Sequence, residues 1–176
     1  MNFPSSLIKN AVEAISMFPG IGKKTALRLV IHLLRNKKQA YSISESIKEL
    51  VDKTTYCNNC YNISKSELCD ICNNTKRDKS TICIVEDIRD IIAIENTMQY
   101  NGQYHVLGGL ISPIDGVGPG DLNINTLIMK ISKTNIKEII LALCATMEGE
   151  TTSYYIYKKI TPFLINITTI SKGISI

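Results

Sequence analysis

The sequence lacks an apolar run that could cross a membrane, since a spanning helix needs about 20 such residues. Its N-terminus also lacks the basic start and apolar stretch of a secretory leader. Only two histidines are present, and no Ser/His/Asp or Cys/His pattern stands out around them. These absences predict a protein without a membrane partner that works in the cytoplasm, where cysteine thiols stay reduced.

Charge is unevenly distributed along the 176 residues, a length that fits one globular body or two small ones. Residues 1–80 hold 13 Lys/Arg against 7 Asp/Glu, a net +6, whereas residues 81–176 hold 7 against 9, a net −2. This distribution predicts that the front of the chain meets an anionic partner such as nucleic acid. Because the field of this basic front is moderate, binding should be salt-sensitive and should need several copies of the chain.

Two C-x-x-C pairs hold four of the six cysteines, namely Cys57, Cys60, Cys69 and Cys72. Two residues between cysteines let a tight turn aim both sulfurs at one point, and two such turns supply the tetrahedral thiolate set that zinc prefers. Disulfides, a redox-active pair and an iron–sulfur cluster are the alternatives. With four thiolates as ligands, the zinc would have no open position and would be structural. Cys83 and Cys144 lie in apolar runs and are predicted to be buried.

Apolar residues at helical spacing predict three N-terminal helices, at residues 5–17, at residues 24–34 and from Ser44 onward. Pro-Gly-Ile-Gly at 19–22 separates the first two. The polar stretch 73–79, after the cysteines, is predicted to be a linker.

Strands and helices alternate after residue 80. The predicted strands are residues 81–85, 104–107, 136–143 and 165–169, and the predicted helices are residues 88–97, 121–132 and 151–163. Asp121 is predicted to cap the second of these helices, after a Gly/Pro-rich loop at 108–120. Such alternation is typical of a parallel sheet with right-handed crossovers. The fold class is therefore α/β in several parts: a helical N-terminal region, a small four-cysteine ribbon and a parallel α/β sheet domain.

The glycine-rich turn between the first two helices is a candidate phosphate site. Gly20 and Gly22 are predicted to form a hairpin too tight for a Cβ, and the N–H groups at the start of the next helix can hold a phosphate. Lys23, Lys24 and Arg28 add positive charge there. A P-loop is excluded, because it would need a further glycine upstream and a preceding strand. The alternative is a plain helix connector with solvated lysines.

Three glutamates form a second candidate site. Glu86 follows one predicted strand, and Glu148 and Glu150 follow another. Because loops at the carboxyl ends of neighbouring parallel strands share one crevice, these carboxylates could hold Mg²⁺ or contact a basic partner. Solvated loop acids are the alternative. Asp87 and Asp90 are expected at a helix N-terminus.

Taken in chain order, these motifs resemble the RecR family of bacterial recombination mediators, and the resemblance covers essentially the whole chain. It is carried by the hairpin at 19–28, the four cysteines, Ile-Val-Glu-Asp at 84–87, Leu-Ile-Ser-Pro and Asp-Gly-Val-Gly-Pro within 110–119, and Glu-Gly-Glu-Thr-Thr at 148–152. The resemblance implies a helix-hairpin-helix DNA-binding region at 1–54, a structural zinc ribbon at 55–76 and a Toprim-like domain at 80–176.

The resemblance also implies a function. RecR-like proteins bind DNA, assemble into ring-like oligomers (dimers of dimers) and act with RecO-like and RecF-like partners. They help load the recombinase RecA at single-stranded gaps, which would place this chain at the nucleoid. Lys24 and Arg28 match the family's DNA-contacting basic positions, and Lys23 stands where the family often has proline.

Two departures from the family pattern stand out. Cys-Ala-Thr at 144–146 replaces a common Asn/Ser-Pro-Thr, which is expected to loosen the loop before Glu148. The chain ends at 173–176 without the usual C-terminal tail, which helps to pack neighbouring subunits. The shorter end is expected to weaken ring closure and partner binding.

The rival interpretation is a Toprim enzyme that performs Mg²⁺-dependent phosphoryl transfer, as a nuclease or primase fragment. Glu86, Glu148 and Glu150 would then be metal ligands or an acid–base pair. Toprim catalysts usually carry Asp-x-Asp at the second position, and the longer side chains of Glu-Gly-Glu fit a compact Mg²⁺ site less well. The sequence therefore favours a DNA-binding adaptor that is not an enzyme.

Overall fold

The computed structural model describes residues 3–171 of the chain. It contains two compact units, Met1–Lys53 and Thr54–Ile176. The prediction about the end of the chain, residues 173–176, lies outside the described residues.

Three helices form the first unit, namely α1 (Ser6–Ser16), α2 (Lys23–Arg35) and α3 (Lys37–Lys53). The predicted helices at 5–17 and 24–34 are thereby confirmed. Their contact buries Val12 of α1 against Ala26 and Val30 of α2. This small core holds α1 and α2 together on either side of the turn that joins them.

The third helix begins at Lys37, so the predicted start at Ser44 is wrong. A single residue, Asn36, separates α2 from α3, with φ −119° and ψ 63°. The Asn36 carbonyl accepts the N–H of Ala40 at 3.1 Å and so starts the new helix. The first turn of α3 is polar, so apolar periodicity does not mark the start of this helix.

The second unit contains the remaining elements. They are β1 (Thr55–Tyr56), β2 (Ile63–Ser64), α4 (Asp70–Asn73), β3 (Thr81–Val85), α5 (Ile88–Glu95), β4 (Gln103–Val106), α6 (Ile124–Lys133), β5 (Glu138–Leu141), α7 (Met147–Ile160) and β6 (Asn166–Thr169). Strands β3 to β6 form one sheet in the order β4-β3-β5-β6, and every neighbouring pair is parallel. The predicted parallel sheet is confirmed.

Both faces of this sheet are covered. In β3, Ile82 and Ile84 belong to a core with α6 and α7, whereas Cys83 and Val85 pack on the opposite face with Ile91 of α5. Strands buried on both faces read as continuous apolar runs, which is why β3 was recognisable in the sequence. Cys83 is buried as predicted.

Two helix starts differ from the predictions. Asp121 does not cap α6: its carboxylate accepts the Gly118 N–H at 2.8 Å inside a 3-10 turn, and Asn123 stands at the N-cap position of α6. Helix α7 begins at Met147 rather than at 151, because the Thr146 hydroxyl accepts the Gly149 N–H at 3.2 Å and caps it. Glu148 therefore lies in the first helical turn rather than in a loop.

The predicted linker 73–79 is fastened to the sheet domain through Arg77. Its guanidinium pairs with the Glu95 carboxylate at the end of α5 and donates to the Gly102 carbonyl at 3.1 Å. Tyr104 of β4 donates to the same carboxylate at 2.6 Å. The pair with Arg77 lowers the pKa of Glu95, so this contact stabilises the fold at neutral pH and weakens in acid.

Candidate functional site

The four cysteines predicted as zinc ligands meet in the second unit. One Sγ from each lies within 4.8 Å of the others, and all four residues are buried. Within residues 3–171 this is the one group of three or more His, Cys, Asp or Glu side chains that could hold a metal ion. A buried set of four sulfurs fits a tetrahedral dication, and zinc is the metal that such a set prefers.

Tight turns bring each pair of sulfurs together. The Cys57 N–H donates to the Asn62 carbonyl at 2.8 Å, and the Tyr61 N–H donates back to the Cys57 carbonyl at 2.9 Å. Tyr61 takes φ 62°, a left-handed conformation that closes this first turn. The short helix α4 forms the second turn, with the Asn73 N–H donating to the Cys69 carbonyl at 2.9 Å. The pair β1–β2 makes this segment a compact ribbon, as predicted.

The pKa values of the neighbouring cysteine thiols are shifted in opposite directions. Hydrogen bonds from Cys60 and Cys72 hold the pKa of Cys69 far below its usual range, while the hydrogen bond with Cys69 raises the pKa of Cys60. Four thiolates at such separations repel one another, so a dication is needed to ionise the whole set. The donor set therefore fits a metal better than four free thiols.

The ribbon is attached to the edge of the sheet. The Val106 N–H of β4 donates to the Cys60 carbonyl at 2.8 Å, between two backbone segments far apart in sequence. Tyr61 of the ribbon contacts the His105 ring edge-to-face, with centroids 5.7 Å apart. His105 is buried, and its Nε2 lies 2.8 Å from the Asn123 carbonyl. The sequence showed no partner for His105, because this partner is a backbone group. Burial lowers the pKa of His105 to about 4 and keeps the ring neutral.

The second candidate site lies in the first unit, at the turn between α1 and α2. Gly20 has φ +80°, which favours glycine, and the Ile21 N–H donates to the Phe18 carbonyl at 3.1 Å. Gly22 stands at the N-cap of α2 with ordinary φ −80°. A Cβ on either glycine would meet nothing within 4 Å, so the predicted close approach is wrong. The turn needs Gly20 for its backbone angle.

Three cations surround the start of α2. Lys23, Lys24 and Arg28 are all exposed, and none of the ion pairs found within residues 3–171 includes them. The first turn of α2 contains no acidic residue, and no side chain caps it. Lys24 and Arg28 lie one helical turn apart, so they share a face. The arrangement presents cations and helix N–H groups together, which is what a phosphate needs.

The three predicted glutamates are placed by two elements. Glu86 directly follows β3, and burial, then the charges of Asp90 and Asp87, raise its pKa. Its Oε2 lies 4.0 Å from Cys144 Sγ, so the loop after β5 approaches the end of β3. Cys144 is exposed there, and the prediction that it is buried is wrong. Within residues 3–171 the glutamates are not gathered into a group that could hold a metal.

The two later glutamates lie in the first turn of α7. Glu148 is half-buried and Glu150 is exposed. Between them, a Cβ on Gly149 would come within 2.0 Å of the Cys144 carbonyl oxygen, so only glycine lets the helix start this close to the preceding loop. Asp87 and Asp90 form the capping box of α5, as predicted.

Comparison with known proteins bears on both units. The family model described as the RecR helix-hairpin-helix matches residues 8–51, and the Toprim domain model matches residues 80–171. The recombination protein RecR of Flavobacterium johnsoniae is 54% identical over 177 residues, which is 100% of this chain and 86% of that protein. The chain belongs to the RecR family. The RecR protein of Cytophaga hutchinsonii is 55% identical, and the match spans 99% of this chain and 86% of that protein. The RecR protein of Bacteroides thetaiotaomicron is 51% identical, and the match spans 99% of this chain and 85% of that protein.

Membership of the RecR family confirms the resemblance seen in the sequence and makes this chain a recombination-repair protein. The helical region, the four-cysteine cluster and the parallel α/β Toprim sheet are all present. No helix within residues 3–171 is both long and apolar enough to cross a membrane.

Sequence reasoning missed the residues of this RecR chain that surround its cysteine ribbon. The amide of Asn59 donates to Cys72 Sγ at 3.2 Å, and Lys130 of α6 reaches the Asn59 carbonyl with its Nζ at 3.4 Å. Asn59 could have been suspected because it lies between Cys57 and Cys60. Lys130 had no signal in the sequence, since only the fold brings α6 to the ribbon.

Proposed function

We propose that this chain is a non-catalytic, DNA-binding mediator of recombinational repair. In this proposal it acts with RecO-like and RecF-like partners at the nucleoid, in the cytoplasm, and helps load the recombinase RecA at single-stranded gaps. One observation carries the proposal. Lys23, Lys24 and Arg28 stand exposed at the uncapped start of α2, with no acidic residue in that turn.

Backbone phosphates are the ligand that this surface fits. Helix N–H groups and flexible cations position a protein on nucleic acid without reading its bases. Gly20 and Gly22 keep the turn free of side chains, so a phosphate can approach the N–H groups of α2. The proposal therefore predicts affinity for DNA of any sequence, weakened by salt.

A second copy of the chain is the proposed partner of α3. This helix buries none of its residues, although apolar side chains recur along it at helical spacing. Ile47 is 50% exposed and Val51 is 73% exposed. An apolar stripe of this kind marks an interaction surface. We infer that it packs between subunits of a ring-like dimer of dimers, in which several hairpins act on one DNA and raise its affinity together.

The zinc proposed for the four-cysteine cluster has a structural role. Cys57, Cys60, Cys69 and Cys72 would all be ligands, which leaves no position for a substrate. Zinc would supply a tetrahedral cross-link for a segment that has few other buried side chains.

The acidic residues Glu86, Glu148 and Glu150 are proposed to contact a basic surface on a RecO-like or RecF-like partner. We expect Glu148→Lys/Glu150→Lys to weaken partner binding at least about tenfold, because like charges then face each other across the interface. Isothermal titration calorimetry of the two purified proteins measures this loss. Glu45→Lys/Glu67→Lys makes the same change of net charge at exposed positions elsewhere and should bind as the parent does. Equal affinity of the parent and the Glu148/Glu150 variant would refute the proposed contact.

The proposal that the chain is not an enzyme is tested by a DNA-cleavage assay. We expect end-labelled single- and double-stranded DNA to stay intact during long incubation with the protein and Mg²⁺, since the glutamates form no metal-holding group within residues 3–171. Gel electrophoresis resolves the products. Cleavage that requires Mg²⁺ and disappears in Glu86→Gln would overturn the adaptor proposal in favour of phosphoryl transfer.

A further inference from the structure

A lysine from outside the ribbon approaches the four-cysteine cluster. Lys130 lies on α6 and is half-buried, and its Nζ donates to the Asn59 carbonyl at 3.4 Å. Asn59 belongs to the turn between Cys57 and Cys60, and its side-chain amide donates to Cys72 Sγ at 3.2 Å. The ammonium therefore reaches a turn that carries two of the ligands and contacts the sulfur of a third.

Lys130 and Cys72 line the same cavity beside the ribbon, so a charged thiolate at Cys72 acts on this ammonium. Burial lowers the pKa of Lys130, and the charges of the cysteine thiolates, with Cys72 first, act in the opposite direction. None of the ion pairs found within residues 3–171 includes Lys130. A partly buried ammonium is costly without an opposing charge, and four neutral thiols would not provide one.

We propose that Lys130 is the outer counter-cation of the metal–thiolate centre and ties metal affinity to the attachment of the ribbon on the sheet domain. A dication with four thiolates carries a charge of about −2, and one ammonium offsets part of it. Groups outside the ligand shell typically change metal affinity about 10–100-fold. The inference rests on the proposed structural zinc and assigns Lys130 as a positioning residue for that centre.

The Val106–Cys60 hydrogen bond and the Lys130–Asn59 hydrogen bond attach the same turn to two elements of the sheet domain, β4 and α6. If Lys130 acts through its charge, the attachment strengthens when metal charges the centre negatively. If it acts only through the hydrogen bond to Asn59, a neutral donor would serve equally well. These two roles are separable by substitution.

Three variants of the full chain separate them. Lys130→Gln keeps an N–H donor and removes the charge, whereas Lys130→Arg keeps both. Lys133→Gln removes a charge from an exposed position one turn further along α6 and is the matched control. Zinc affinity is measured by competition with a chromogenic chelator. We expect Lys130→Gln to bind zinc about tenfold more weakly, and Lys130→Arg and Lys133→Gln to bind close to the parent.

Two further measurements respond to the charge of Lys130, namely the Co²⁺ absorption spectrum and the melting temperature. In Co²⁺-loaded protein, the sulfur-to-metal charge-transfer band should shift in Lys130→Gln and stay in place in the other two variants. In thermal unfolding, Lys130→Gln should melt below the parent with zinc bound, and this difference should vanish or reverse after chelation, when the ammonium loses its counter-charge.

Equal zinc affinity and equal Co²⁺ spectra for Lys130→Gln and Lys130→Arg would overturn the counter-cation role, because the hydrogen bond alone would then suffice. A parent chain that takes up no zinc would overturn the zinc centre itself and this inference with it. Neither result bears on DNA binding by the hairpin, which is measured separately.

Discussion

The substitution Lys24→Glu/Arg28→Glu will weaken DNA binding at least about 100-fold, and equally for all DNA sequences. Two charge-assisted contacts to phosphate, each worth about 1.5 kcal/mol or more, are replaced by repulsion. Both side chains are exposed, on the face of α2 opposite to Ala26 and Val30 of the core. The fold of the first unit should therefore be retained. Fluorescence anisotropy of labelled DNA measures the loss.

The matched control for this prediction is Lys37→Glu/Lys38→Glu. It makes the same change of net charge in the first unit, at exposed positions in the first turn of α3. This control should lose only the modest affinity that follows from a lower overall charge. If both double variants bind DNA equally, or if the Lys24/Arg28 variant binds as the parent does, the hairpin is not the DNA site.

Removal of zinc is expected to unfold the ribbon. The buried cluster of this segment consists of the four cysteines themselves, with Ile71 packed against it, so no separate apolar core remains without the metal. Binding free energies for structural zinc in small domains are on the order of 10 kcal/mol, which is folding free energy in such systems. We expect about one zinc per chain by elemental analysis. Hydrogen exchange at 55–76 should lose its protection after chelation.

The neighbouring strand should respond as well, since the Val106 N–H of β4 donates to the Cys60 carbonyl. Cys57→Ser should release the metal and reproduce the effect of chelation, whereas Cys144→Ser, at an exposed cysteine outside the cluster, should keep it. Full zinc content in Cys57→Ser, or unchanged exchange at 55–76 after chelation, would show that the cluster is not a structural zinc site.

Local sequence signals were sufficient for the elements that carry a strong pattern. Strand β3 is a continuous apolar, β-branched run, and its burial on both faces follows from that run. The spacing of the four cysteines likewise predicted their meeting, because two short turns leave few other arrangements.

Element boundaries were less predictable where a single polar residue decides them. Asn36 ends α2 and at once starts α3, and the Thr146 hydroxyl starts α7 before the apolar pattern begins. Helix starts depend on side-chain oxygen atoms and backbone carbonyls rather than on hydrophobic periodicity. The sequence predicted Asp121 as the cap of α6, whereas Asn123 stands at that position and Asp121 closes the turn before it.

The surroundings of the candidate sites depend on contacts between distant segments. Lys130 and Asn59 meet only because α6 and the ribbon are attached to the same sheet domain. His105 finds its partner in the backbone of Asn123, which no residue pattern marks. The meeting of the four cysteines was predictable from their spacing, whereas the groups that surround them were not.

The most direct test of the central claim is a salt titration of DNA binding by the unmodified chain beside Lys24→Glu/Arg28→Glu. The account predicts that log affinity of the parent falls linearly with log salt, and that the variant shows both weaker binding and a flatter slope, because each lost phosphate contact lowers the slope by about 0.7–0.9. Parent affinity that does not depend on salt, or a variant with an unchanged slope, would contradict a hairpin that binds DNA through its phosphates.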